Sequence, residues 1–109
     1  MNSSISSYEP PFILGLYGMT KAVLNNMAKW MKEELREDGI RVNCIAPGMI
    51  ETEMTVPGIR SKNVNFPEDS IGKAEQIGSV SAMICSDDGS FINGETLLVN
   101  GGYRSFQKL

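Results

Sequence analysis

Apolar residues recur at three- and four-residue steps from about Tyr17 to Asp38. Val23, Leu24, Met27, Ala28, Trp30, Met31 and Leu35 trace one stripe, with Lys29, Lys32, Glu33, Arg36 and Glu37 mostly beside it. That period predicts an amphipathic helix, and Gly39 supplies the left-handed stop that commonly ends one. A second helical period covers Lys73–Ser86, with Ala74, Ile77, Val80 and Ile84 on one face. Each helix runs toward a short apolar segment, Ile40–Ala46 (IRVNCIA) and Glu95–Val99 (ETLLV). These segments are nearly continuous in apolar character and bounded by Gly or Pro, which predicts parallel strands covered on two faces.

The remaining stretches read as connections. Residues 1–16 form a loop, because Pro10 and Pro11 each remove an N–H and restrict the residue before them. Pro47–Ile71 is 25 residues rich in Gly, Pro, Thr, Ser and Asn, a loop of a length that is often functional. Asp87–Asn93 reads as a turn, and Tyr103–Leu109 as a polar tail that frays. The order loop–helix–strand–loop–helix–strand is that of an α/β protein. Two strands do not make a stable sheet alone, so the pattern predicts pairing with another chain or the tail of a longer protein.

Composition narrows the function classes. A chain of 109 residues fits one small domain. With 41% hydrophobic and 21% charged residues it is globular rather than disordered. The net charge of −3 and the lack of any Lys/Arg cluster argue against a nucleic-acid partner. With no His and two distant Cys, a zinc site would lack its usual ligands. No apolar run approaches the roughly 20 residues of a membrane span. Lys21 is the first basic residue, so the charged start of a secretory signal is missing. These readings point to a soluble, mildly acidic, intracellular protein, in which Cys44 and Cys85 are expected to be reduced and buried as small hydrophobes.

The candidate chemistry begins at Tyr17-Gly18-Met19-Thr20-Lys21. A spacing of four puts a phenol and an ammonium on one helical face. A free phenol titrates near pH 10, about three units too high for neutral proton transfer. A fixed cation beside a phenol favours the phenolate and moves it toward the useful range. Taken alone, such a pair is weak evidence, and a packed Tyr beside a solvated Lys is the commoner reading. Three further features accompany it: Ser4, 13 positions before Tyr17; Pro47-Gly48 followed by Thr52 after the first strand; and Asn93-Gly94 leading into TLLVNGG.

In that order, and with RVNCIAPG, these residues resemble the C-terminal half of the short-chain dehydrogenase/reductase family. The resemblance runs from about Asn2 to Gly102. YGMTKAVL, RVNCIAPGMIET and CSDDGSFINGETLLVNGG resemble most closely its branch of peroxisomal NADPH-dependent carbonyl reductases and retinol dehydrogenases, the dehydrogenase/reductase member four group. The fold implied is α/β, the C-terminal portion of a Rossmann-like doubly wound parallel sheet, incomplete. Residues 1–109 would form part of a single domain whose N-terminal dinucleotide-binding half is absent, with Met1 internal to a longer protein.

The resemblance also implies roles. Tyr17 would be the general acid in carbonyl reduction and the base in alcohol oxidation. Lys21 would assist it and hydrogen-bond the nicotinamide ribose, and Ser4 would donate to the substrate oxygen. Pro47 and Gly48 would shape the turn below the nicotinamide ring. The Ile50 backbone would meet the carboxamide, and Thr52 the carboxamide or a nearby phosphate. The cofactor would be NADP(H) or NAD(H), the substrate a small carbonyl or alcohol, and the complete protein a homo-oligomer.

The chain also departs from the family. The Gly-rich strand-to-helix turn that holds the pyrophosphate is missing, as is the Asn on the preceding helix. Gly48 to Gly72 spans 24 positions, a shortened substrate loop, and Ala74 stands where the family often has Pro. Gln107-Lys108-Leu109 resembles a peroxisomal tripeptide with Gln at its first position, so peroxisome and cytoplasm both stand as locations. The alternative to an oxidoreductase is a non-catalytic truncated chain that associates with full-length relatives through the exposed stripe of the long helix or the free edge of the Ile40–Ala46 strand.

Overall fold

The computed structural model describes residues 1–61 and 67–102. The tail and its terminal tripeptide Gln107-Lys108-Leu109 lie outside the described residues. The first long element, α1, covers Gly15–Glu34. It starts earlier than its apolar period suggests because a 3₁₀ turn, Phe12–Leu14, feeds straight into it from Pro11 at φ −64°. It also ends earlier. Beyond Glu34 the chain tightens into turns that close at Gly39, which has φ 70°. The Gly39 N–H donates to Arg36 O (3.1 Å) and the Ile40 N–H to Leu35 O (3.2 Å), the paired bonds of a Schellman closure.

Strand β1 is Cys44–Pro47 and strand β4 is Thr96–Val99, with β2 (Ile50–Glu51), α2 (Val56–Arg60), β3 (Gly72–Lys73) and α3 (Ala74–Cys85) between them. β1 and β4 pair in parallel, Cys44 opposite Thr96 through Pro47 opposite Val99. The predicted strand Ile40–Ala46 loses its first four residues, because side chains replace the ladder there. The Val42 N–H donates to Asn93 Oδ1 (2.9 Å), Asn43 Nδ2 to Ile92 O (2.8 Å), and the Glu95 N–H to Asn43 Oδ1 (3.0 Å). The stretch read as a structureless loop carries β2, α2 and β3, with Ile50 opposite Gly72 and Glu51 opposite Lys73.

The edge of β1 expected to lie open is occupied. The Ser3 N–H donates to Ile45 O (2.7 Å), the Ile45 N–H to Met1 O (3.0 Å), and the Met1 amino group to Asn43 O (2.7 Å). Asn2 pairs in parallel with Ile45. The first residues therefore act as a third strand rather than a loop, and β1 is the centre of the sheet. That arrangement removes β1 as a surface for pairing with another chain.

Helices cover both faces. Cys44 Sγ points at Leu24 O of α1 (3.3 Å), and Ile45, one residue on, lines a groove with Ile77 and Ile84 of α3. Cys44, Ala46 and Ala28 are fully buried, and Ile5 and Ile84 nearly so. The broad stripe on α1 divides. Leu24, Ala28, Met31 and Leu35 turn inward to varying degrees, whereas Met19, Val23, Met27 and Trp30 are exposed, Trp30 at 62%. On α3, Ile84 is buried and Ile77 and Val80 are half-buried, but Ala74 is exposed. Both cysteines are free; Cys44 is buried as expected, but Cys85, at the end of α3, is exposed.

Gly18 sets the distance between α1 and the N-terminal turn. It is buried, and a Cβ there would strike Ser6 O and come within 2.6 Å of Pro10 Cβ. Gly78 in α3 has nothing within 4 Å of the same position. Overpacking against backbone costs about 1–3 kcal/mol, while Ala gains up to about 1 kcal/mol over Gly in an open helix interior. Gly18→Ala should therefore lower the urea midpoint and Gly78→Ala should raise it. Equal shifts in the two variants would contradict this packing.

A second expectation concerns the chain in isolation. Phe12, Ile13, Leu16, Met19, Val23 and Trp30 are all more than half exposed. An apolar surface of that kind promotes association. The 109-residue chain should bind a hydrophobic dye and sediment with a concentration-dependent mass. A dye-free monomer that unfolds sharply and reversibly would contradict that expectation.

Candidate functional site

Parallel sheets with helices on both faces place ligands beyond the carboxyl ends of their strands. Three chain segments leave the sheet at that end here: Ser4 after the N-terminal stub, Pro47-Gly48 after β1 and Asn100 after β4. An open hollow of about 340 Å³ lies beside the first two. Ser4, Tyr17, Lys21, Pro47, Gly48, Ile50 and Thr52 all line it. The seven residues singled out in the sequence thus share one surface.

Tyr17 and Lys21 reach the hollow because α1 presents positions four apart on one face. Lys21 Nζ sits 5.5 Å from the Tyr17 ring centroid and donates to Asn2 O (3.0 Å). Ser3 Oγ donates back to Lys21 O (3.1 Å), so the N-terminal stub and α1 are tied from both sides. An ammonium carries three donors; one is held by Asn2 and two are left for the hollow. The Tyr17 hydroxyl has no hydrogen-bond partner among the described residues, and Tyr17 is 43% exposed.

Ser4 caps the 3₁₀ turn Ile5–Ser7, its Oγ accepting from the Ser6 N–H (3.1 Å). The bond occupies a lone pair and leaves the Ser4 hydroxyl proton free to donate. Gly48 allows the turn after β1 to pass close to the end of β4. Its N–H donates to Val99 O (2.9 Å), and a Cβ there would lie 2.8–2.9 Å from Asn100 Cβ and Cα.

Thr52 and Thr55 add a hydroxyl cluster to the lining. The Thr52 N–H donates to Thr55 Oγ1 (2.9 Å), Thr55 Oγ1 donates to Ile50 O (2.5 Å), and the two Thr hydroxyl oxygens are 3.1 Å apart. Sequence reasoning missed Thr55, Asn2, Ser3 and Ile77, which also line the hollow. Thr55 had a usable signal, a hydroxyl three residues after Thr52 and just before a helix. Asn2 had none, since its contribution is a backbone carbonyl.

Lys21 is the one ionised side chain among the lining residues, and Pro47, Ile50, Ala74 and Ile77 give an apolar wall. Hydroxyls, an ammonium and an apolar surface thus line one open hollow. No Gly-rich strand–turn–helix for a pyrophosphate is present among the described residues.

Comparison with known proteins bears on the fold and the family. The sequence profile described as "Enoyl-(Acyl carrier protein) reductase" matches residues 3–104. Dehydrogenase/reductase SDR family member 4 of Bos taurus is 38% identical over 106 residues, covering 92% of this chain and 38% of the bovine one. A 4-hydroxyisoleucine dehydrogenase solved with NADH and succinate superposes with a TM-score of 0.79 at 30% identity, covering 94% of this chain and 44% of that one. A short chain dehydrogenase from Burkholderia cenocepacia solved with NADP superposes with a TM-score of 0.78 at 27% identity, covering 93% and 43%. The chain spans less than half the length of each. Its fold is accordingly part of a Rossmann-like α/β domain with parallel strands. The chain belongs to the short-chain dehydrogenase/reductase family, whose C-terminal region it represents.

Proposed function

We propose that these residues serve a carbonyl reductase/alcohol dehydrogenase that uses NADP(H) or NAD(H), and that they act only when an upstream dinucleotide-binding half completes the domain. The observation that carries the reading is the shared hollow, in which a free phenol, an ammonium with two open donors and a serine proton meet. Relatives solved with NADH and with NADP support the cofactor class. The bound reduced nicotinamide supplies a hydride to the carbonyl carbon. Tyr17 gives its proton to the carbonyl oxygen, and in alcohol oxidation its oxygen takes the proton back. Ser4 donates to that same oxygen and holds it while negative charge develops. The two open donors of Lys21 would hold the ribose hydroxyls. Pro47 and Gly48 would shape the turn below the ring, the Ile50 backbone would hold its carboxamide, and Thr52 would hold the carboxamide or a nearby phosphate.

A second reading rests on the exposed face of α1. Met19, Val23, Met27 and Trp30 lie in the open and form a surface on which a full-length relative could seat, so that the chain would act through association rather than catalysis. The exposed Cys85 thiol is free, which suits an intracellular setting, cytoplasm or peroxisome.

Fusing the chain to the upstream half of a family relative and assaying a diketone or retinal with NADPH and with NADH tests the first reading. The fusion should reduce the carbonyl. Tyr17→Phe should lower kcat by at least about 100-fold, the usual scale of positioned acid catalysis. Activity that survives this substitution would count against the assignment. Co-purification with a full-length relative, in the absence of such activity, would favour the second reading.

A further inference from the structure

A second hollow, of about 280 Å³, lies at the amino ends of the strands. Arg41, three residues before β1, and Asn93, three residues before β4, both line it. Ser4 and Gly48 leave the sheet at the opposite end, and no residue is common to this hollow and that of Tyr17. Lys32 and Glu33 in the last turn of α1, Arg36 just beyond it and Phe91 complete the lining with Ser90.

Three cations and one carboxylate make the local balance +2, on a chain whose net charge is −3. Lys32, Arg36 and Arg41 form no run in the sequence; the fold gathers them. Gly94 helps to place Lys32, because it is buried at φ 78° and a Cβ there would strike the lysine stem at Cδ. Most donors in this hollow are unspent. Arg41 uses two of its five N–H groups, Nη1 on Ile92 O (3.0 Å) and Nη2 on Ile84 O (2.7 Å), and these bonds fix its position. Asn93 Oδ1 accepts the Val42 N–H (2.9 Å), which leaves both protons on its Nδ2. Among the described residues, the Arg36 guanidinium and the Ser90 hydroxyl have no partner, and the sole ion pair joins Lys32 Nζ to Glu33 at 3.9 Å. An exposed pair of that length contributes little, so Lys32 is open to a better anion. Phe91 is fully exposed beside these cations, and its ring is available for another ring to pack on.

We propose that this hollow binds a phosphate monoester carried on a single aromatic ring, with the phosphate on Lys32, Arg36 and Arg41 and the ring on Phe91. A guanidinium meets phosphate oxygens in paired, charge-assisted bonds. A dianion matches the balance of +2, of which a carboxylate would match half. The volume limits the ligand to one ring, since sites for larger molecules start at about 300 Å³.

Equilibrium dialysis of the 109-residue chain against phenyl phosphate, inorganic phosphate and phenol tests the proposal. Phenyl phosphate should bind at one equivalent per chain, at least about tenfold more tightly than phenol and about fivefold more tightly than inorganic phosphate. Arg36→Gln should weaken it at least about tenfold, the loss of a charge-assisted bond, and Lys32→Gln, with the same expected loss, covers the case in which the first variant does not fold. Phe91→Ala should bring the two phosphates within about twofold of each other. Lys21→Gln and Tyr17→Phe should leave binding unchanged, so this proposal and the carbonyl reductase reading fail separately. No binding at millimolar phenyl phosphate, or equal affinity for phenol or inorganic phosphate, overturns the proposal. So does binding that survives both Arg36→Gln and Lys32→Gln, binding lost in Lys21→Gln, or an advantage over inorganic phosphate that persists in Phe91→Ala.

Discussion

The backbone of Asn43–Pro47 is bonded along both edges, and the placement of every group in the hollow depends on it. Met1 and Ser3 hold Ile45 on one side, while β4 holds Cys44–Pro47 on the other. The register brings Ser4 and Gly48 out of the sheet at the same end. A two-stranded pair would be marginal in water, and a slip of register would move Ser4 away from Pro47. The N-terminal stub therefore does more than extend the sheet. Through Asn2 O and Ser3 Oγ it also grips α1 at Lys21, on both the side chain and the carbonyl.

The same tie depends on how closely α1 approaches the N-terminal turn. Gly18 lies between Tyr17 and Lys21 in a position where a methyl group would meet the carbonyl of Ser6. The absence of a side chain there brings the turn that carries Ser4 against the helix that carries the phenol and the ammonium. Asn25 adds a bond from the next turns of the helix, its Nδ2 donating to Ser7 Oγ (2.8 Å). The turn and the helix thus behave as one unit, and the site residues on them keep their spacing through contacts outside the hollow.

The helices were legible from period alone, since apolar steps of three and four report burial directly. The partner that provides the burial is not encoded in that period. Val23 and Met27 follow the same rhythm as Leu24 and Ala28, yet only the latter pair turns inward. The strand boundary at Cys44 escaped because Asn43 and Asn93 imitate a ladder with their side chains, and IRVNCIA contains no mark of that substitution. Cys85 follows the apolar rhythm of α3 to its last residue but faces outward. In the hollow, Ser4, Tyr17, Lys21 and Thr52 were legible as an ordered set of chemical types. Asn2 was not, because a carbonyl belongs to every residue and its use depends on where the chain is brought back.

Hydrogen-bond valence sets what each polar group of the hollow can offer. At the Ser4–Lys21 end, the serine proton and two ammonium donors are open while the tyrosine can give or take a proton, so this end suits oxygens: a carbonyl and sugar hydroxyls. At Thr52 the hydroxyl lies 3.1 Å from that of Thr55, whose own proton goes to Ile50 O, so Thr52 can give its proton to Thr55 or to a ligand. The apolar wall of Pro47, Ile50 and Ile77 contributes contact area without direction. Direction comes from the few polar groups that the backbone holds in place, Lys21 through Asn2 O, Ser4 through the Ser6 N–H and Thr52 through its own N–H to Thr55.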